Sequence, residues 1–406
     1  MMRLRFTQLL LLSVTLGGSS HTVDAGNPTQ FGPINKHAIC DRLETAVKES
    51  PQARQLPGIS TAVILPDRSQ CRITVGLADI ERNVPLSQKH RFFSGSTGKT
   101  FVAATTLYLE RMGLLELDDP ISRYLSEEPF FSRLPNADQI TVRQLLNHSS
   151  GLADHVYLQE FAEAILASGT TRKALTPTQT IALILDKPAL AAPGEVYSYT
   201  DTGYILLGLV IEKASGRTYY NLLDDVFLER LQLTDTSPSD SMVHRNLATG
   251  YVATEVMSIL AGRMLDMDGN PLYHPGSEWT GGGLVTTPAD LSRWAWMLYR
   301  GEVMEKSYRE NMLQAGPPAE GANTGHYGLG VYIAQTEHGI RYGHGGWAPG
   351  YRTVMYYLPE MQIAIAVQAN SDAKVDNTPS SAHDLAMALL DVLSKTLPEF
   401  IAQREQ

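Results

Sequence analysis

Strand-like runs lie at both ends of this 406-residue chain, and the long middle reads as mostly helical. Near the start, Ile59 to Leu65 is rich in β-branched residues. Pro66-Asp67-Arg68-Ser69-Gln70 is a turn, and Cys71 to Leu77 is extended again. This is the pattern of a β-hairpin. Near the end, Tyr327 to Ala334, Arg341 to His344, Arg352 to Leu358 and Ile363 to Gln368 read as strands, the last two joined by Pro359-Glu360-Met361-Gln362. Lys36 to Glu49 reads as a helix. Leu385, Ala388, Leu389, Val392 and Leu393 repeat at helical spacing near the carboxyl end. Between these ends come helices expected over Thr178 to Asp186, Thr202 to Ser215 and Asp224 to Leu233, then one opened by Pro288 and reaching Tyr299. The strands from both ends most simply complete one antiparallel sheet flanked by the terminal helices. The expected fold class is therefore α/β (α+β), with an inserted, mostly helical lobe. The sheet lobe takes residues 36–95 and 285–395, the helical lobe 96–284, and 396–406 is a tail. A cleft between lobes is where a substrate site is expected.

A hydrophobic content of 43% and a charged content of 19% describe a globular protein with a large core. The formal net charge of −10 argues against nucleic acid or an anionic membrane surface as partner. Residues 1–25 have the form of a secretory signal: Arg3 and Arg5, then an apolar Leu9 to Leu16, then Val23-Asp24-Ala25 as cleavage site. The apolar run is too short to span a bilayer. Residues 26–35 form a loose leader. The expected location is secreted or periplasmic, where a disulfide is permitted, and Cys40 and Cys71 are the only cysteines. One bridge between them is expected. Two cysteines and scattered histidines give no metal site. Asp266-Met267-Asp268-Gly269-Asn270 lacks the spacing and distant glutamate of a calcium loop and reads as a hairpin turn.

The stretch with the most chemistry is Phe93-Ser94-Gly95-Ser96-Thr97-Gly98-Lys99-Thr100, ahead of the apolar run Phe101 to Met112. It reads as a loop opening a buried helix, with Ser96 and Lys99 in the first turn. Residues three apart on a helix share a face, so a weak serine nucleophile has a cation beside it. Unpaired N–H groups of that turn suit a developing oxyanion. A phosphate-binding loop is excluded because its first glycine would fall at Phe93. A nucleophile elbow is excluded because Ser94 stands at its first glycine. Ser-x-x-Lys remains, and alone it fits equally a helix cap followed by a solvated lysine.

Two more segments add to it. Pro193-Gly194 and Tyr199-Thr200-Asp201 precede Gly203-Tyr204-Ile205-Leu206-Leu207-Gly208, and His344-Gly345-Gly346-Trp347 sits at a strand edge. Leu145-Leu146-Asn147-His148-Ser149-Ser150-Gly151-Leu152 lies between the first two motifs. Together these resemble the serine β-lactamase and penicillin-binding superfamily, in the branch of class C β-lactamases, D-alanyl-D-alanine carboxypeptidases and related esterases. Ser96 to Lys99 matches the family's Ser-x-x-Lys, Tyr199 to Asp201 its Tyr-x-Asn, and His344 to Gly346 its Lys/His-Thr/Ser/Gly-Gly. The match runs from about residue 36 to 393. The Ser-Asp-Asn and Lys-Thr-Gly signatures of class A enzymes are missing.

The resemblance implies a β-lactamase/transpeptidase-like fold with the site between lobes. It implies that Ser96 attacks a carbonyl to form an acyl-enzyme, with Lys99 and Tyr199 sharing the proton traffic. Either of them can take the serine proton. The N–H groups of Ser96 and Trp347 would hold the oxyanion, and His344 would face a substrate carboxylate or join the proton network. The substrate is a small molecule or peptide with an acyl group, and no cofactor or metal is required. The departure is Asp201, where the family has asparagine. An ionised aspartate donates no hydrogen bond to a substrate amide and favours the charged form of a neighbouring lysine. The leading reading is D-alanyl-D-alanine carboxypeptidase or β-lactamase-type amide hydrolysis. The alternatives are a carboxylesterase on the same residues and a silent binding protein for peptidoglycan peptides.

Overall fold

The computed structural model describes residues 34–253, 261–317, 325–376 and 381–402. The expected signal segment and the leader as far as residue 33 lie outside the described residues. The main sheet has eight strands: β1 (Gly58–Ile64), β2 (Gln70–Asp79), β3 (Val84–Pro85), β4 (Gly325–Tyr327), β5 (Tyr332–Thr336), β6 (Gly339–Ala348), β7 (Tyr351–Leu358) and β8 (Ile363–Ala369). Their spatial order is β3-β2-β1-β8-β7-β6-β5-β4, with every pairing antiparallel. The two halves of the sheet, one from each end of the chain, meet where Ile59 pairs with Ala369.

The six longest described helices are α1 (Lys36–Glu49), α2 (Lys99–Arg111), α3 (Gln159–Thr171), α4 (Asp201–Ser215), α5 (Pro288–Arg300) and α6 (Ser381–Ala402). β1 and β8 are buried along their whole length, as strands covered on both faces must be. Alternation sorts their side chains. Ile363, Ile365 and Val367 join Ile39, Leu43 and Val47 of α1 and Leu385, Leu389 and Leu393 of α6 in one apolar layer. Ala364 and Ala366 face the other way, into the larger core with Trp294 of α5 and Phe101 of α2. Those two rings stack at 4.0 Å. α1 starts at Asn35, whose side chain accepts the Ala38 N–H at 3.3 Å. A disulfide joins Cys40 on α1 to Cys71 on β2, with Cα atoms 5.4 Å apart.

Away from the site, the structure departs from the sequence reading in four elements. The strand expected over Tyr327 to Ala334 is two, β4 and β5, because Gly328 and Gly330 (φ +71°) turn the chain between them. The helix expected over Thr178 to Asp186 closes at Ala182, and Asp186 is left-handed (φ +60°). In place of one helix over Asp224 to Leu233, a turn at Tyr219–Leu223 runs into a π-helical Asp224–Leu228. The tail expected at 396–406 is helical as far as Ala402, since α6 continues through it.

Candidate active site

A small three-stranded sheet delivers the nucleophile. Phe92–Phe93 pairs with Leu284–Thr286, which also pairs with Ser237–Pro238. The Ser94 N–H then donates to the Leu284 carbonyl at 2.9 Å, and the Ser94 hydroxyl to the Gly282 carbonyl at 2.6 Å. The chain turns through a 3-10 segment, Gly95–Gly98, before α2 begins at Lys99. The expected first helical turn is thus a tighter one, and the Lys99 N–H bonds back to the Ser96 carbonyl within it.

Two glycines let β6 touch this turn. Gly95 has φ +52°, and a Cβ there would lie 2.5 Å from the Trp347 nitrogen. A Cβ on Gly346 would lie 2.0 Å from the Ser94 carbonyl oxygen and 3.2 Å from the Ser96 nitrogen. Backbone contact this close brings the Gly346–Trp347 stretch of β6 against the turn that carries Ser96.

Lys99 is fully buried. Its Nζ donates to Ser96 Oγ at 3.1 Å, to the Gly281 carbonyl, and to Asp201 Oδ1 at the start of α4. Three acceptors use the complete donor set of an ammonium. Its Nζ also lies 5.1 Å from the centre of the Tyr199 ring, close enough for cation–π attraction.

The Tyr199 hydroxyl is buried with no hydrogen-bond partner among the described residues. Burial holds its pKa well above the ordinary phenol value, the Asp201 charge adds to that, and the neighbouring Ser96 hydroxyl works against it. Its backbone is held on both sides by His148: the Ser198 N–H donates to the His148 carbonyl at 2.8 Å, and the Thr200 N–H to His148 Nδ1 at 3.2 Å. The His148 ring packs on the Tyr199 ring with centroids 4.0 Å apart. Burial, then the Lys99 charge, keep His148 neutral. His148 stood in the Leu145–Leu152 motif without a role, and its position as the clamp on Tyr199 is visible only in three dimensions.

His344 is also buried. Its Nε2 lies 2.8 Å from the Tyr327 hydroxyl and its Nδ1 2.5 Å from the Gly345 carbonyl. Burial, reinforced by the Lys99 charge, lowers its pKa to about 3. His344 borders the cavity, and as a neutral imidazole it would meet a substrate as a hydrogen-bonding group rather than as a cation. The cation that lines the cavity is Arg352, opposite Trp347 in the β6–β7 pairing.

The cavity is about 330 Å³ and is bordered by Ser96, Tyr199, Asp201, His344, Gly345 and Gly346, among others. Two further carboxyl groups border it, Asp154 and Glu278. Burial, followed by the charge of Asp201, raises each of their pKa values to about 7. Sequence reasoning passed over both. Gly281, whose carbonyl takes the Lys99 ammonium, was visible only as part of a Gly281-Gly282-Gly283 loop signal.

A family model described as Beta-lactamase matches residues 43–388. The chain belongs to the beta-lactamase family. Penicillin-binding protein 4* of Bacillus subtilis is 28% identical over 69% of this chain and 60% of its own length. The chain therefore spans about three fifths of that curated relative. A D-amino acid amidase of Ochrobactrum anthropi, solved with D-phenylalanine, superposes with TM-score 0.76 at 23% identity, over 88% of this chain and 99% of its own. An octameric penicillin-binding protein homologue of Pyrococcus abyssi superposes with TM-score 0.69 at 27% identity, over 90% and 79%. This beta-lactamase-family fold matches the class expected from the strand and helix order. Among the described residues no helix is long and apolar enough to cross a membrane.

Proposed function

We propose that this protein is an exported serine hydrolase that cleaves amide bonds of small acyl donors, amino-acid amides or short peptides, through an acyl-enzyme on Ser96. The observation that carries the reading is the 3.1 Å contact of Lys99 Nζ with Ser96 Oγ inside a pocket otherwise closed to Lys99. Ser96 Oγ attacks the carbonyl carbon. With the donors of Lys99 already committed, the Tyr199 oxygen is the uncommitted atom that receives the serine proton. Tyr199 enters this step as the phenolate, the form that the Lys99 charge beside its ring favours against burial, and leaves it as the phenol. The Ser96 and Trp347 amides hold the oxyanion. Tyr199 returns the proton to the departing amine, and water then attacks the ester carbon with the same groups assisting. The Cys40–Cys71 bridge supports export, since such bonds persist in oxidising compartments.

A carboxylesterase is the second reading, and Asp201 favours it. Its carboxylate stands where an amide-binding donor is expected, and an ester acyl group needs none there. Intact-mass measurement after a fluorophosphonate probe, followed by turnover of an amino-acid amide and a matched ester, tests both. A single adduct on Ser96 with amide turnover supports the first reading. An adduct with ester turnover alone supports the second. Absence of any Ser96 adduct refutes both.

A further inference from the structure

The hairpin turn between β5 and β6 consists of Glu337 and His338, since Thr336 ends one strand and pairs with Gly339, which opens the next. The turn is braced from within. The His338 N–H donates to Thr336 Oγ1 at 3.1 Å, and the Thr336 hydroxyl to the Gly339 carbonyl at 2.8 Å. α6 passes beside it and presents Asp391, whose Oδ1 lies 2.6 Å from His338 Nε2. One donor atom each from Glu337, His338 and Asp391 lie within 4.8 Å of one another. The His338 side chain is only 8% exposed, so the fold holds its ring, whereas Glu337 is exposed and can swing toward it. Among the described residues, no lysine or arginine pairs with Glu337 or Asp391. Two carboxylates meet at one imidazole without a permanent cation to balance them.

A divalent transition-metal ion answers both the charge and the donor set. Zinc bonds to imidazole nitrogen and carboxylate oxygen at about 2.0–2.2 Å, which puts the donors of a tetrahedral site roughly 3.3 Å apart. Rotation of the exposed Glu337 side chain closes the gap that remains. The nitrogen in the set disfavours calcium and magnesium, which take oxygen ligands. We propose that Glu337, His338 and Asp391 form a peripheral zinc site, with water as the fourth ligand, that pins the β5–β6 turn to α6. On binding, His338 coordinates through Nε2. The hydrogen bridging Nε2 and Asp391 relocates to Nδ1, or leaves to solvent where the ring was charged. The two carboxylates then neutralise the divalent ion. The turn lies at the opposite end of β6 from Gly346 and Trp347, so the ion is structural and independent of the reaction at Ser96. The expectation of no metal site came from residue spacing. His338 and Asp391 stand 53 positions apart, so no motif announces the group.

The test uses the full, tag-free protein with its disulfide intact, stripped of metal by a chelator and dialysed. Cys40 and Cys71 are bonded to each other, so no thiolate competes for zinc. Excess zinc chloride should give a calorimetric binding signal and raise the melting temperature by about 2–5 °C. Calcium or magnesium chloride at the same concentration should leave the melting temperature unchanged. Glu337→Gln, at an exposed side chain, should keep the metal-free melting temperature of the wild type. It should weaken zinc binding by at least the roughly 10-fold that loss of an outer-shell partner costs. Asp391→Asn, which can still accept from His338, should weaken binding by a similar factor. A wild-type protein that neither binds zinc nor gains stability from it overturns the site. So does an undiminished zinc response in either variant, or an equal response to calcium. Where Asp391→Asn does not fold, Glu337→Gln decides.

Discussion

Two buried ion pairs in this molecule have similar residue types and opposite surroundings. Asp79 accepts both terminal nitrogens of Arg263, at 2.9 and 2.7 Å, together with the Thr249 hydroxyl at 3.0 Å and the Arg82 N–H at 2.9 Å. Arg263 also reaches Glu81 at 2.6 Å and the Leu265 carbonyl at 2.7 Å. The hydrogen bonds from Arg263 depress the Asp79 pKa far below the carboxylate range. The second pair, Lys99 with Asp201, is set among liabilities. Lys99 is shared with the nucleophile, the Tyr199 hydroxyl beside it has no partner, and burial and the Asp201 charge raise the neighbouring Asp154 and Glu278 to about 7. A scaffold pair satisfies its lone pairs. The pair in the site leaves protons and charges with somewhere to move, which is where perturbed titrations gather.

The largest effect expected is on chemistry alone. Ser96→Ala should abolish fluorophosphonate labelling and lower turnover by about 10⁴-fold or more, with the melting temperature unchanged. Adduct formation on another serine would sink the assignment. The scaffold pair should behave in the opposite way. Arg263→Met leaves Asp79 buried and unpaired, at a cost of about 3–5 kcal/mol in denaturant unfolding, while the folded fraction still labels at Ser96. Lys99→Met should cost a similar amount and also abolish labelling. Removing both charges, as in Lys99→Met with Asp201→Asn, should restore most of the stability and none of the activity. A double variant as unstable as the single one would break the parallel between the pairs.

The difference between the pairs also marks what the sequence could reveal. Ser96 and Lys99 are three residues apart, so local geometry alone predicts their meeting. The fold class was legible because β-branched runs at both ends and α1, with Ile39, Leu43 and Val47 on one face, carry simple periodicities. Asp154, Glu278, His148 and Arg352 carry no local signal of that kind. They matter because the tertiary fold brings Asp154, Glu278 and Arg352 from three separate segments to one cavity, with His148 packed behind Tyr199, and no periodicity encodes that. The charge state of His344 could not be read from the sequence for the same reason. A histidine reads as a cation or neutral ring only once its burial and the nearby Lys99 are known. The split of β4 from β5 was missed although Gly328 and Gly330 were visible, because the flanking residues continue the strand pattern.

The acids separate the two regions by pH. The Asp79 contribution is complete above the ordinary carboxylate pKa of about 4 and is lost as the pH falls below it. Glu278, raised to about 7, works with the reverse sign. Between about pH 4 and 7 the unfolded glutamate is ionised while the folded one holds its proton, so the folded state loses stability as pH rises, until about 7. Glu278→Gln removes that loss. The variant should be more stable than wild type by roughly 1–3 kcal/mol at pH 8 and indistinguishable in this respect at pH 4. Equal shifts at both pH values would show that Glu278 is already ionised in the folded protein at low pH and place it with the scaffold acids.

The smallest effect tests whether Asp201 sets the substrate preference. Its charge raises the pKa of the Tyr199 phenol, so Asp201→Asn should ease proton transfer from Ser96 for every substrate. It also supplies an amide N–H that only an amide-type acyl donor gains in binding. One neutral hydrogen bond is worth about 0.5–1.5 kcal/mol net. The ratio of amide to ester kcat/KM should therefore rise several-fold, on top of any common increase in both rates. The rising limb of the rate profile, where Tyr199 loses its proton, should move to lower pH as the phenol is released from the neighbouring charge. Measuring both substrates for both proteins from pH 5 to 9 separates the two contributions. A common increase with an unchanged ratio would assign Asp201 to the proton network alone. An altered ratio with an unmoved rising limb would assign it to substrate recognition, and no change in either would place the carboxylate with Asp79, as a structural partner of its cation.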